Sequence, residues 1–324
     1  TEYFKSGEEA FGSILKDLRS AEKFIFMEYF IIGSGVMLDQ ILDILKEKVK
    51  HGVVVRIIYD DFGSINAIPP HFIKEMESIG IQTRRFNPYK PMLSVIMNDR
   101  DHRKILVIDG RVAHTGGYNI ADEYINKKIR FGYWKDAGIR VEGECVNSFT
   151  TMFLEMWNYI NKDNAVHDEY LNPHNTFSQS EKSGFVQPFC DSPLEHDDVG
   201  ENLYVSIISR AKKYVYIFTP YLILGTELSH AMISAARSGV DVRIVVPKIP
   251  DKKLIYLQTK ANFRPLIEAG VRIYLYTPGF IHSKCIVADD DTAIVGTCNL
   301  DFRSMYWNFE DFVYMYRTQC IGKI

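Results

Sequence analysis

The sequence is that of an α/β protein built from two duplicated β/α/β sandwich lobes related by a pseudo-twofold axis. Three observations carry this expectation. The pattern H-x-K-x-x-x-x-D occurs twice, as HRKILVID (His102–Asp109) and as HSKCIVAD (His282–Asp289). Each copy follows the same order of apolar strand-like runs and amphipathic helices. Each is followed by a similar stretch, GRVAHTGGYN ending at Asn119 and DTAIVGTCN ending at Asn299. One such match is an occasional accident of residue frequencies; two in matching surroundings indicate duplication.

The elements follow in order. Phe11, Ile14, Leu15 and Leu18 recur at helical spacing. FIFMEYFII (residues 24–32) is a run apolar on both faces, as a buried strand requires. Leu38, Ile41, Leu42, Leu45 and Val49 form a second helical stripe, and GVVVRIIYDD (52–61) is the next strand. A short helix leads into SIGIQTRRF and then to His102. In the second half YVYIFTPYLI (214–223), a helix with Leu228, Ala231, Met232 and Ala235, GVDVRIVVP (239–247) and EAGVRIYLY (268–276) repeat that order up to His282. The expected division is a first lobe at 1–162, a polar linker rich in Asn, Ser and His at 163–184, and a second lobe at 185–324.

Composition narrows the function. Of 324 residues, 46% are hydrophobic and 24% charged, as in a globular protein with a large core. The net charge of −3 and the absence of a basic stripe speak against a nucleic-acid binder. Five cysteines, Cys145, Cys190, Cys285, Cys298 and Cys320, contain no C-x-x-C pair, which points to a reducing setting without a zinc site. No apolar stretch reaches membrane-spanning length. The chain begins at Thr1 with no Met, as a processed or trimmed form would.

The spacing has a chemical meaning. Residues i and i+2 of a strand share a face, so His102 points with Lys104 and His282 with Lys284. Asp109 and Asp289 complete the two motifs but have the opposite parity, which suits them to fixing local structure. A pseudo-twofold axis would bring both His/Lys pairs into one site. Lysine is a poor metal ligand near neutral pH, so the expected ligand is an anion, with neither metal nor cofactor. Asn119 and Asn299 add amide donors, and Gly116, Gly117 and Gly296 permit close backbone approach. The pocket then suits one phosphate group. One histidine would attack phosphorus and the other protonate the leaving alkoxide, each with a carboxylate to set its tautomer. The candidate carboxylates are Asp136 and Glu310. Each lies downstream of the histidine in its own half, so Asp136 is expected to serve His102 and Glu310 to serve His282.

These residues resemble the phospholipase D superfamily and, within it, bacterial cardiolipin synthases. The words MEYFII, VRIIYDDFGS, NDRDHRKILVIDG, TGGYNIADEYI, RFGYWKDAGIRVEG, PGFIHSK and VGTCNLDFRS carry the likeness over nearly the whole chain. The resemblance implies two phospholipase D-like lobes and transfer of a phosphatidyl group between two phosphatidylglycerols. The products would be cardiolipin and glycerol, formed through a phosphohistidine. It further implies that Lys104, Asn119, Lys284 and Asn299 hold phosphate, that Asp136 and Glu310 orient the histidines, and that Asp109 and Asp289 are the motif's structural aspartates. It favours His102 as nucleophile and His282 as acid and then base. The implied partners are phosphatidylglycerol and an anionic membrane surface, with the catalytic region on the cytoplasmic side of a bacterial membrane. Members of that group ordinarily begin with transmembrane segments and extend further past Glu310, so an anchor is expected to have been lost or removed. Two positions depart from the expected glycine, His114 and Cys190. The alternatives are a hydrolytic phosphodiesterase or nuclease using water, and a non-catalytic lipid-binding module; oligomeric state has no signal.

The first half is also longer before its motif. Twenty-two positions separate Gly80 from His102, against 12 between Gly270 and His282. The extra residues lie within NPYKPMLSVIMNDRD (87–101). Lys90, Pro91, Met92, Leu93, Val95, Ile96 and Met97 are expected to face a membrane.

Overall fold

The computed structural model describes residues 1–89, 98–171, 184–195 and 197–324. The expected lip at residues 90–97 therefore lies outside the described residues, as does most of the expected linker. Two mixed sheets carry the fold. The first contains β1 (Glu2–Phe4), β2 (Phe24–Tyr29), β3 (Val54–Asp60), β4 (Gln82–Phe86), β6 (Lys104–Ile108), β7 (Val112–Gly116) and β9 (Gly138–Glu142), in the order β1-β9-β7-β6-β2-β3-β4. The second contains β10 (Phe185–Asp191), β11 (Tyr214–Phe218), β12 (Asp241–Pro247), β13 (Arg272–Tyr276), β15 (Cys285–Ala288), β16 (Thr292–Gly296) and β17 (Asn308–Tyr316), in the order β10-β17-β16-β15-β11-β12-β13. The two orders are the same order, strand for strand, which is the duplication read in three dimensions.

Local sequence explains the elements. Every residue of β2 is buried, as its two-sided apolar run requires. β2, β3 and β4 are parallel, joined by crossovers through α2 (Val36–Lys50), then α3 (Asp61–Ser64) and α4 (Phe72–Ser78). In α1 (Gly7–Arg19) Ser6 caps the N-terminus by accepting from the Glu9 amide at 3.2 Å, and Phe11, Ile14, Leu15 and Leu18 turn inward. In the second lobe α6 (Val199–Arg210), α7 (Thr226–Arg237) and α9 (Phe263–Glu268) pack with the other sheet, and α8 (Lys253–Ala261) precedes α9.

A core between the sheets joins the lobes. α5 (Val146–Asn161) inserts Phe149, Met152 and Phe153 among Phe26, Ile105 and Val107 of the first sheet and Val287, Val295 and Met315 of the second. Two short parallel strand pairs add to it. β5 (Arg100–Asp101) of the first half pairs with β17 of the second, Arg100 opposite Asn308 and Asp101 opposite Phe309. β14 (Gly279–Ile281) of the second half pairs with β8 (Tyr133–Lys135) of the first, Ile281 opposite Lys135. Each pair ends one residue short of a motif histidine on one strand and of a candidate carboxylate on the other.

The motif aspartates lie at the far ends of β6 and β15. Asp109 accepts the amides of Glu22, Lys23 and Phe24 at 2.9, 2.7 and 2.9 Å. Asp289 accepts those of Lys212, Lys213 and Tyr214 at 2.7, 2.9 and 2.9 Å. Both occupy left-handed backbone, with φ of 54° and 53°. Each ties the turn after its motif strand to the start of the neighbouring strand. Asp109→Ala orphans three amides and places a β-carbon without a local hydrogen bond in the left-handed region; a loss of about 2–4 kcal/mol is expected. Thermal unfolding should show it as a melting temperature lower by several degrees, and an unchanged melting curve would refute the anchoring role.

Candidate functional site

His102 sits one residue after β5 and Lys104 opens β6, so the shared-face argument places them together. The amide of His102 donates to the Phe309 carbonyl at 3.0 Å, and that of His282 to the Lys135 carbonyl at 2.7 Å. These two bonds set the register of each histidine against the opposite lobe. The expected pairing with carboxylates is corrected here. His102 Nδ1 lies 2.8 Å from Glu310 Oε2, and His282 Nδ1 lies 2.8 Å from Asp136 Oδ2. Each histidine is oriented by the other lobe's carboxylate, because the parallel strand pairs cross between lobes while chain order does not. A carboxylate on Nδ1 keeps the proton there and leaves Nε2 free.

The carboxylates are themselves held. Glu310 accepts from Thr297 Oγ1 at 2.5 Å and from Asn308 Nδ2 at 3.1 Å. Asp136 accepts from the Ala137 amide at 2.9 Å and from the Trp134 indole at 3.4 Å. Gly117 explains itself here: a β-carbon would meet Asp136 Oδ1 at 2.1 Å. Gly116 and Gly296 instead approach neighbouring strand backbone, at the Ala137 and Asp311 carbonyls. Trp134 and Tyr124 pack on His282 at 5.2 and 5.6 Å, and Phe30 on His102 at 5.1 Å.

The lysines are fully buried. Lys104 Nζ donates to the His102 carbonyl and Lys284 Nζ to the His282 carbonyl, each across its own motif. Burial pulls Lys104 down to about 8, against the pull of Glu310, and Lys284 down to about 7, against that of Asp136. Burial also drives His282 down to about 4, aided by Lys284 and then Lys104. His102 falls well below its ordinary value through burial, Lys104 and Lys284. Both lysines thus act on both histidines, and the two motifs form one centre. Asp136 is held below the usual carboxylate range: burial opposes this, and His282 and Lys284 outweigh it. Burial raises Glu310.

Asn119 and Asn299 enter less directly. Asn119 accepts the Ile31 amide at 2.9 Å and donates to the Tyr124 hydroxyl at 2.7 Å. Asn299 donates to Ser304 Oγ at 3.1 Å. One N–H of each amide is engaged in fixing its neighbours, and each retains a second. His114 is explained by a local partner, since its Nε2 lies 2.7 Å from Asp17, which also holds Arg140. Cys190 is half-buried on β10, in register with Asp311.

Sequence reasoning missed Asp311, which accepts the Lys104 amide at 3.0 Å and the Thr115 hydroxyl, and which burial pushes up to about 7. It also missed Arg103, buried between Glu28 at 2.6 Å and Asp101 at 3.4 Å. The matching positions in the opposite lobe are Ala137 for Asp311, Ser283 for Arg103, Ile281 for Asp101 and Phe218 for Glu28. Comparing the two halves residue by residue would have exposed this one-sided charge cluster.

A family model described as the cardiolipin synthase, PLD-like domain, matches residues 14–157 and 204–324. The chain belongs to this family. An uncharacterized protein of Streptococcus mutans is 51% identical over 322 residues, covering 99% of this chain and 69% of that protein. A cardiolipin synthase of Alkalihalophilus pseudofirmus is 40% identical and one of Geobacillus kaustophilus 38%, each over 325 residues. The chain spans 64% of the length of each of these two synthases. Among solved structures, a phosphatidylserine synthase of Haemophilus influenzae superposes with a TM-score of 0.71 over 98% of this chain and 82% of its own, at 18% identity. That likeness supports the two-lobed phospholipase D-like α/β fold.

The crossed dyads are separable by histidine nitrogen-15 NMR. Glu310→Gln should shift the Nδ1 and Nε2 resonances of His102 and leave those of His282 nearly in place; Asp136→Asn should do the reverse. In wild type the His282 ring, brought down to about 4, should stay neutral from pH 7 down to about 5, and the His102 ring should titrate below the ordinary value of about 6.5. A His102 response to Asp136→Asn would restore the in-lobe pairing.

Proposed function

We propose that this chain is the catalytic region of a cardiolipin synthase, transferring a phosphatidyl group between two phosphatidylglycerols. The observation that carries the proposal is the reciprocal pair of dyads around two buried lysines. The carboxylates nearest the two buried ammonium groups, Glu310 and Asp136, are already engaged by the histidines, which leaves the ammonium groups suited to an added anion. A phosphodiester fits, with its non-bridging oxygens on Lys104 and Lys284 and the spare N–H groups of Asn119 and Asn299 within the same wall. Lysines, amides and imidazoles do this work without a divalent cation.

His102 Nε2, its Nδ1–H held by Glu310, attacks phosphorus as the bond to the glycerol oxygen breaks. His282 supplies the proton to that oxygen, and glycerol leaves. The bound anion offsets the lysine charge that depresses His282, which lets the ring carry this proton. The phosphatidyl group is then on His102. The primary hydroxyl of a second phosphatidylglycerol gives its proton to His282 and attacks phosphorus, the P–N bond breaks, and cardiolipin is released with both histidines restored. One phosphodiester replaces another, so no nucleotide is required. The assignment of His102 as nucleophile rests on the family resemblance and on the longer first-half segment beside it.

Among the described residues no helix is long and apolar enough to cross a membrane. The site of action proposed for the whole protein is the cytoplasmic face of a bacterial membrane.

Purified protein incubated with phosphatidylglycerol in detergent micelles should yield cardiolipin and glycerol, with and without EDTA. Phosphatidic acid in place of cardiolipin would mean that water is the acceptor. Abolition by EDTA with restoration by one divalent metal would overturn the metal-free scheme. With a nitrophenyl phosphatidyl ester, whose leaving group needs no proton, His282→Ala should still release nitrophenol and leave phosphate on the peptide containing DHRK, whereas His102→Ala should not. An adduct on the HSK peptide would reverse the roles.

A further inference from the structure

The segment after β12 is built unlike a water-facing surface. α8 buries only Thr259. Leu254 is 78% exposed and Leu257 62%, with Ile249 before the helix also exposed. A helix covering a sheet turns its leucines inward, as α7 does with Leu228 and Met232. α8 turns them out. Lys248, Lys252, Lys253 and Lys260 surround these leucines and are all exposed. The nearby acids already have partners: Asp251 accepts the Tyr221 hydroxyl at 2.5 Å, and Glu268 pairs with Arg264 at 2.8 Å. The result is an apolar tip inside a cationic ring, in a protein whose net charge is −3.

Its position is an independent observation. The segment leaves the C-terminal end of β12, at the edge of the sheet where Phe218 pairs with Cys285, next to Lys284. Lys252 is near enough for its charge to act on His102. Tyr221, Lys252, Tyr256 and Phe280 line a shallow depression beside it. Its wall reaches the site, since the Phe280 ring lies 6.0 Å from that of His282. The first lobe also leaves apolar side chains exposed at this end. There α3 follows β3 at the corresponding end and leaves Phe62 53% and Ile65 48% exposed.

We propose that α8 is an interfacial docking helix that lays Leu254 and Leu257 into an anionic phospholipid surface. The lysines then stand at head-group level, with Phe280 between this face and His282. Exposed leucines ringed by lysines match a surface that is apolar below and anionic above. The inference deepens the proposed reading by naming the face that meets the lipid, and its test is read without turnover.

The test is cosedimentation of the chain with vesicles of phosphatidylglycerol or of phosphatidylcholine. Wild type should favour phosphatidylglycerol vesicles, less so at high salt. Leu254→Ser with Leu257→Ser should weaken that partition by roughly tenfold or more. The melting curve should not move, and neither should turnover of water-soluble dihexanoyl phosphatidylglycerol. Lys253→Glu should lower the preference for the anionic vesicles. Sedimentation of the double variant at the wild-type level overturns the proposal. So does a wild-type dimer that this variant converts to monomer, because the leucines would then cover a second copy. A melting temperature lowered by several degrees would make them core and overturn it likewise. Weakened vesicle binding together with no turnover of any lipid by wild type would uphold the docking face and sink the proposed reaction.

Discussion

The structure depends on two short parallel strand pairs that cross between the lobes. β5 on β17 and β14 on β8 together pair only five residues from each lobe with the other. Their register leaves His102 beside Glu310 and His282 beside Asp136. Without the crossing, each lobe would hold a histidine with no carboxylate and a carboxylate with no histidine. The core around α5 supplies the adhesion, by burying Phe149 and Phe153 between both sheets. The strand pairs supply the aim. A slip of one residue would turn each histidine to the opposite face of its strand.

The centre stores unfavourable electrostatics that a ligand relieves. Lys104 and Lys284 are buried with their ammonium groups on the backbone carbonyls of their own motifs. Burial lowers both, Lys104 lowers Lys284 further so that it is brought to about 7, and both lysines lower both histidines. An anion between them would reverse that shift and raise the histidines as well, so phosphate binding and readiness for proton transfer are coupled. The lobes are not electrically equal. Behind His102 lie Arg103, Glu28, Asp101 and Asp311, where the matching positions around His282 are Ser283, Phe218, Ile281 and Ala137. Burial lifts Asp60 and Asp311 to about 7, so carboxylates behind His102 can change their proton content near neutrality, as Lys284 can on the other side. The two histidines therefore work in different surroundings despite matching geometry.

Much of this was legible in the residues. Continuous apolar runs mark β2 and β3, and period-3.6 stripes mark α1 and α2, because the strands are buried on both faces and the helices on one. The repeat of H-x-K-x-x-x-x-D is legible because the same backbone solution was used twice. The partner of each histidine was not. Asp136 and Glu310 stand at comparable distances downstream of their own motifs, and a spacing along the chain does not say whether two lobes exchange strands. Asp311 was hidden for another reason: next to Glu310 it looks like one of a pair of surface acids, and only the buried amide of Lys104 gives it a role. The exposed leucines of α8 were hidden by their ordinary helical spacing, which reports periodicity and not which side is covered.

A centre shared by both lobes makes one measurement decisive. Calorimetric titration of the chain with an inorganic oxyanion such as tungstate should give one bound anion per chain. Lys104→Met and Lys284→Met should each abolish that binding, since both ammonium groups contact the same ion. Two anions per chain, or a loss of half the binding in each variant, would mean that each lobe keeps its own site and would contradict the shared centre.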